Sequence, residues 1–541
     1  LALGRLTERI VLGVDEPAMR ARAEAEVRAS FDTMARALRL MARGMADPET
    51  VIAAAQDDVT AAGRLFAAAD AALAQRDAAD FAVTAYGSAG RPLAWDGRPS
   101  DLPADRLQGE EAWFFAQGAL GLRLVYVTPV MTVDGRRVGT IAAERSLGPA
   151  TPPRPDLSTQ APQYAGRFAR ISIEQRFEAG RTTPDASAFE VAAPSGAPLF
   201  TASMDAADLA RTRGRWRSAS RSLALTTLVL TLVLLCAPLL DWRNRLPRAR
   251  PYVGAVALVA GAIVASRLVM RLAPLADWSD HPLLSGAEYA SPLLRPFLTS
   301  PFDFLMTALT ASSLVALLLY AVEAWRLSRW HRRRRVTGVG LTVVFAALQI
   351  GAGTGLAVLL AGHQAFLRDT VANTTLDLLH FSLHPWSASR LALQVGLIVW
   401  HATALGCGVV LLRAALAVWT VPRPAIGLRA ATLGFWAFPV VLWQLVSGPD
   451  LAPQVPPLIA GTVIIAIVSF ATRLTARYRH GSQAFRLTLM TLGLVVPAAT
   501  FYPSVFQLGW EAKSQLVETR HAPQAIDQRQ TIQRLLQASL D

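Results

Sequence analysis

The chain has 541 residues, 52% hydrophobic and 17% charged, which excludes a disordered protein, and its two cysteines exclude a disulfide scaffold. The net charge of +13 invites a nucleic-acid reading, yet residues 1–220 hold 26 Arg against 27 acidic residues, and residues 221–541 hold 27 basic against 13 acidic. The excess lies wholly in the half with the long apolar runs, so no basic patch marks a soluble domain and a nucleic-acid partner is excluded. In chain order, residues 1–80 read as helix, with Val27, Phe31, Met34, Leu38 and Met41 at helical spacing and a break at Asp47-Pro48. From residue 81 the pattern turns to strand: 81–86 and 92–95 around a turn at 87–90, then 122–129 and 139–144 joined at Asp134-Gly135. A Pro-rich linker covers 149–165, and a third strand set covers 168–177, 189–193 and 199–201. Residues 81–205 thus form an α+β domain, followed by an Arg-rich juxtamembrane segment, 206–221.

Residues 222–506 hold eight apolar runs of the roughly 17–25 residues that cross ~30 Å of hydrocarbon. They lie at about 222–240, 252–272, 303–322, 337–361, 391–419, 430–446, 457–472 and 487–506, the sixth and seventh being short. The odd-numbered connecting loops carry 16 Arg and the even ones only Arg295, Arg368 and Arg390. Basic residues stay on the cytoplasmic side, so the odd loops are inside, and residues 1–221 and 507–541 are extracytoplasmic. Arg211, Arg213, Arg215, Arg217 and Arg221 precede the first run on the side read as external. That conflict gives a fallback in which the first run does not cross and seven spans remain. Residues 507–541 read as an amphipathic helix, with Leu516, Val517, Ile526, Ile532, Leu535, Leu536 and Leu540 among polar residues, and as the start of a truncated second external domain.

The segments Ala85-Tyr86-Gly87-Ser88-Ala89-Gly90-Arg91-Pro92-Leu93-Ala94-Trp95, Tyr126-Val127-Thr128-Pro129-Val130 and Asp134-Gly135-Arg136-Arg137-Val138-Gly139-Thr140, behind a long helix, resemble the extracytoplasmic PAS-like sensors called Cache domains. Ser88 stands where that family usually has Asp. The resemblance implies a small-molecule ligand against the sheet, with Tyr86, Trp95, Arg123 and Tyr126 as candidate lining residues; the competing reading makes Trp95 and Tyr126 core aromatics. Sensor, bundle and the resuming helix Ala512-Lys513-Ser514-Gln515-Leu516-Val517-Glu518 together resemble the input half of large bacterial multi-span sensor histidine kinases. That resemblance implies a homodimer in the inner membrane, and a response regulator engaged only through a kinase core lying outside this chain.

No phospho-accepting His on a cytoplasmic helix and no ATP loop is present. Gly351-Ala352-Gly353-Thr354-Gly355 sits within the fourth run, where small residues serve close helix packing. Gln349, His401 and Gln444 lie within runs and form a candidate polar cluster for a ligand or a proton; the competing reading gives each an interhelical hydrogen bond. Arg267 and Arg271, near the outer end of the second run, are expected to snorkel. His380 and His384 have i, i+4 spacing with His363 in the same loop, but no Cys or paired carboxylate supports a metal there, and no cofactor is expected. Three functions remain: signal input, a polytopic membrane enzyme or transporter with an accessory external domain, and a passive anchor.

Overall fold

The computed structural model describes residues 2–74, 80–118, 121–147, 163–166, 168–174, 188–245, 249–327, 339–378, 386–418, 426–447 and 455–540, in two compact units, Leu1–Arg217 and Ser218–Asp541. The first unit opens with α1 (Ala2–Leu12), α2 (Glu16–Met45), α3 (Pro48–Ala55) and α4 (Val59–Leu73). Its helix starts are set locally. Asp15, Asp47 and Asp58 accept the backbone N–H of Ala18, Thr50 and Thr60, and Pro17 and Pro48 occupy first turns, where their missing N–H costs nothing. The sequence suggested one break, at Asp47. A second falls at Gly13, whose φ of 98° suits only glycine, and a third at Gln56–Asp58.

The sheet that follows holds β1 (Phe81–Gly87), β2 (Pro92–Gly97), β3 (Ala112–Gly118), β4 (Gly121–Met131) and β5 (Arg137–Ser146), antiparallel in the order β2-β1-β5-β4-β3. A short helix, α5 (Ala104–Gln108), lies between β2 and β3. A second antiparallel sheet, ordered β6-β7-β9-β8, contains β6 (Gln163–Ala165), β7 (Arg170–Glu174), β8 (Ala188–Ala192) and β9 (Pro198–Met204). Most of the linker expected at 149–165 lies outside the described residues.

The 30-residue α2 is about 45 Å long at 1.5 Å per residue, enough to serve both sheets. Phe31 meets Phe200 of the second sheet at 4.7 Å, while Arg39 stands over Trp113 and Tyr126 of the first. Leu38, Met41 and Met45 join Val83, Ala85, Leu124, Ile141 and Ala143 in one core.

Helix α6 (Ala206–Asn244) carries residues of both units. Its first turns account for two of the five discordant arginines. Arg213 donates to Gly13 O and Asp15 O, and Arg217 forks onto both Glu8 oxygens at 3.1 Å. These side chains fasten α1, so they belong to the fold of the first unit as well as to the flank of a span.

The second unit continues with α7 (Ala249–Arg271), α8 (Leu275–Trp278), α9 (Pro301–Leu327), α10 (Val339–Ala372), α11 (Ala388–Val418), α12 (Ile426–Ser447), α13 (Val455–His480), α14 (Gln483–Leu516) and α15 (Ala522–Leu540). Among the described residues seven helices are long and apolar enough to cross a membrane, which makes the chain a multi-pass membrane protein. One helix fewer qualifies than the eight runs read from the sequence, and the difference falls in an unexpected place. The first run qualifies within Ala206–Arg243, and the short one is Val455–Ala471 of α13. Residues 507–540 do not begin as a separate element. The helix of the last span runs on through a π-helical segment, Val517–His521, into α15.

Two cores hold the bundle. Leu356, Leu412, Trp436 and Ile464 join α10–α13, and Tyr289, Phe304, Leu367, Leu393, Leu397 and Phe501 join α9, α10, α11 and α14 to the segment before α9. The most extensive helix pairing is α9 with α11. It needs Gly396, where a Cβ would stand 2.8 Å from the Phe304 ring.

Candidate functional site

In the first unit the informative face of the five-stranded sheet is the one turned away from α2. Alternation along β5 puts Thr140, Ala142 and Glu144 there. The pairs Val125↔Glu144 and Ala82↔Glu144 add Arg123, Val125, Ala82, Thr84 and Tyr86 from β4 and β1. Leu102 and Leu107 cover this face and complete a small apolar core with Tyr86, Val125, Val127 and Ala142. Within it Glu144 is fully buried and Arg123 is 2% exposed, their nearest atoms 3.6 Å apart.

Charges so placed need partners, because burial alone costs far more than a pair recovers. Both Glu144 oxygens accept the Ser100 N–H at 3.0 Å. Arg123 Nη1 has no hydrogen-bond partner among the described residues. Burial raises the Glu144 carboxyl above its ordinary value, opposed by Ser100 and by the Arg123 charge. Burial, then the Glu144 charge, raises the Tyr86 phenol.

One short segment closes the face. The Arg137 guanidinium donates to Gly109 O at 2.7 Å, to Leu107 O and Gln108 O, and to Thr140 Oγ1 at 2.6 Å; the Thr140 hydroxyl donates to Leu107 O at 2.7 Å. The C-terminal end of α5 is therefore strapped to β5 by two side chains.

The four sequence candidates divide. Tyr86 and Arg123 share the face of Glu144. Tyr126 points to the α2 side, 4.4 Å from Trp113 and beneath Arg39, as a core aromatic; burial raises its phenol too. Trp95, on edge strand β2, is 47% exposed and meets Phe66 of α4 edge-on at 5.4 Å. Glu144 and Ser100 were not singled out in the sequence. The available signal was an acidic residue ending the run Thr140-Ile141-Ala142-Ala143-Glu144, in phase with the buried positions.

In the bundle Gln349 and His401 occupy separate places. Gln349 accepts the Trp436 indole N–H at 2.9 Å and donates to Ala415 O at 3.4 Å. Fourteen residues, about 21 Å of helix, separate Ala415 from His401. Gln444 is buried on α12. His401 instead joins His363, which α10 carries inside the helix and not in the loop where the sequence put it. His363 Nε2 lies 2.8 Å from His401 Nδ1, and His401 Nε2 lies 3.0 Å from Thr500 Oγ1.

The Thr500 hydroxyl donates to Val496 O at 2.8 Å, so its oxygen accepts from His401 Nε2–H. His401 Nδ1 then accepts from His363 Nε2–H. His363 Nδ1, buried and without a hydrogen-bond partner among the described residues, is left as the open acceptor of a directional chain.

Arg267 does not snorkel. It is 5% exposed and donates to Asp303 Oδ1 at 2.8 Å, to Phe297 O and to Thr307 Oγ1, because α9 offers a carboxylate at that depth. Arg413 likewise pairs with Glu323. No group of three His, Cys, Asp or Glu side chains arranged to hold a metal occurs among the described residues, and His380 and His384 lie outside them. Comparisons of the chain with protein-family models, with curated proteins and with solved structures return no match.

Proposed function

We propose that this chain is the signal-input region of a bacterial inner-membrane sensor, with a PAS/Cache-like extracytoplasmic unit whose ligand lies over Glu144 and Arg123. The observation that carries the reading is a buried carboxylate–guanidinium pair on the sheet face opposite α2, beneath one short strapped segment. A small molecule bearing both a donor and an acceptor would meet the Glu144–Arg123 pair, with Tyr86 at its edge. Occupancy would move the α5 strap, and the spans would carry the change to an output module, a histidine kinase core in this reading. A homodimer and a response regulator belong to the same proposal.

The test is a thermal-shift survey of the full chain in nanodiscs against small amino acids, amines and carboxylates. One class should raise the melting temperature, and Tyr86→Phe, a small change, should weaken that shift. No stabilising class, together with a reading frame that encodes no output module beyond Asp541, would sink the proposal. The alternative, a polytopic enzyme or transporter, draws on the His363–His401–Thr500 chain. It requires proton movement across proteoliposomes that His401→Ala abolishes.

A further inference from the structure

A cavity of about 720 Å³ lies between α6, α7 and α9, within the roughly 300–1,000 Å³ typical of ligand pockets. Its walls are apolar, among them Val233 and Leu240 of α6, Ile263 of α7, and Met306 and Leu317 of α9. On α6 the lining runs from Thr226 to Arg243, about 26 Å of helix, close to the ~30 Å of a hydrocarbon core. A slot of that length and volume accommodates an extended hydrocarbon chain. None of the apolar window of α6 is buried, so α6 stands off from its neighbours and leaves this gap. An unfilled gap forfeits the dispersion contacts of its lining, and the medium at hand is lipid.

Each end carries an arginine. At one end Arg267 pairs with Asp303. At the other, the Arg243 guanidinium lies 4.1 Å over the Tyr320 ring and 5.8 Å from that of Tyr252. Arg243, Arg245, Arg248 and Arg250 follow within eight residues, with Asp241 as the nearby acid. Basic clusters at the cytoplasmic end of a span favour anionic head groups.

We propose that the slot between α6, α7 and α9 binds one acyl chain of an anionic phospholipid, with its phosphate against Arg243. The site is independent of any ligand over Glu144.

Native mass spectrometry of the full chain, titrated with phosphatidylglycerol or phosphatidylcholine, reads it directly. The intact chain should hold one phosphatidylglycerol roughly fivefold more tightly than phosphatidylcholine, the preference that about one favourable arginine supplies. Arg243→Ala should lose the preference and Arg243→Lys should keep it. Val233→Trp, which fills the slot and leaves Arg243 in place, should remove binding of both lipids and guards against misfolding of the alanine variant. Equal binding of the two lipids, an unchanged preference in Arg243→Ala, or a lipid-free dimer blocked by Val233→Trp would each overturn the proposal.

Discussion

Arg123 and Glu144 hold each other in place at zero or near-zero exposure, so removing one strands the other. Arg123→Met should therefore destabilise the first unit by about 3–5 kcal/mol, read by urea unfolding of residues 1–217, and Glu144→Gln, which keeps an acceptor for the Ser100 N–H but leaves the Arg123 charge uncompensated, should destabilise it too. The raised Glu144 carboxyl gives a signed pH effect. The folded unit holds this proton more tightly than the unfolded chain, so the contribution is fullest below the ordinary carboxylate value of 4.5 and falls as pH rises through the raised value. Glu144→Gln should flatten that part of the stability profile; an unchanged slope would remove Glu144 from the titration. Part of the site was legible. Positions 123 and 126 differ by an odd number, so strand alternation already sends Arg123 and Tyr126 to opposite faces. Glu144 was not, because only the register Val125↔Glu144 brings it beside Arg123, and register between distant strands is not written in either strand.

At the scale of elements, strands with clear turns were readable: Gly90 and Gly135 take positive φ where the turns were expected. β3 escaped, because Trp113-Phe114-Phe115 is a continuous apolar run without alternation, and its place at the sheet edge beside β4 is a tertiary fact. Helix ends near the membrane were also underestimated. α10 runs to Ala372, and the extra turns carry His363 inward to His401. The small-residue run in α10 packs as expected, but unevenly. A Cβ on Gly353 would stand 2.3 Å from Phe435 O of α12, whereas Gly351 has open space. Gly353→Val should lower stability in detergent by roughly 1–3 kcal/mol or prevent assembly, while Gly351→Val should melt like the parent chain. Equal effects would mean that α10 and α12 do not approach at Gly353.

For the whole molecule the open quantity is parity. Seven crossings put residues 217 and 516 on opposite sides of the membrane, and eight put them on the same side. The doubtful helix is α13, whose apolar part, Val455–Ala471, is 17 residues, about 26 Å against a core of ~30 Å and at the lower limit for a span. Charge decides for crossing. Arg473, Arg477, Arg479 and Arg486 follow its apolar part, whereas 447–456 holds no basic residue. If α13 did not cross, those four arginines would share a side with 447–456 and break the alternation set by every earlier loop. Snorkelling of flanking arginines and local thinning of the bilayer offset a few ångströms of mismatch at a fraction of a kcal/mol per Å. Compartment reporters fused after residue 335 and after residue 481 should therefore both report the cytoplasm, and one fused after residue 450 the opposite side. Identical signals at 450 and 481 would place α13 on the membrane without crossing it, leave seven spans, and move residues 517–540 to the other side.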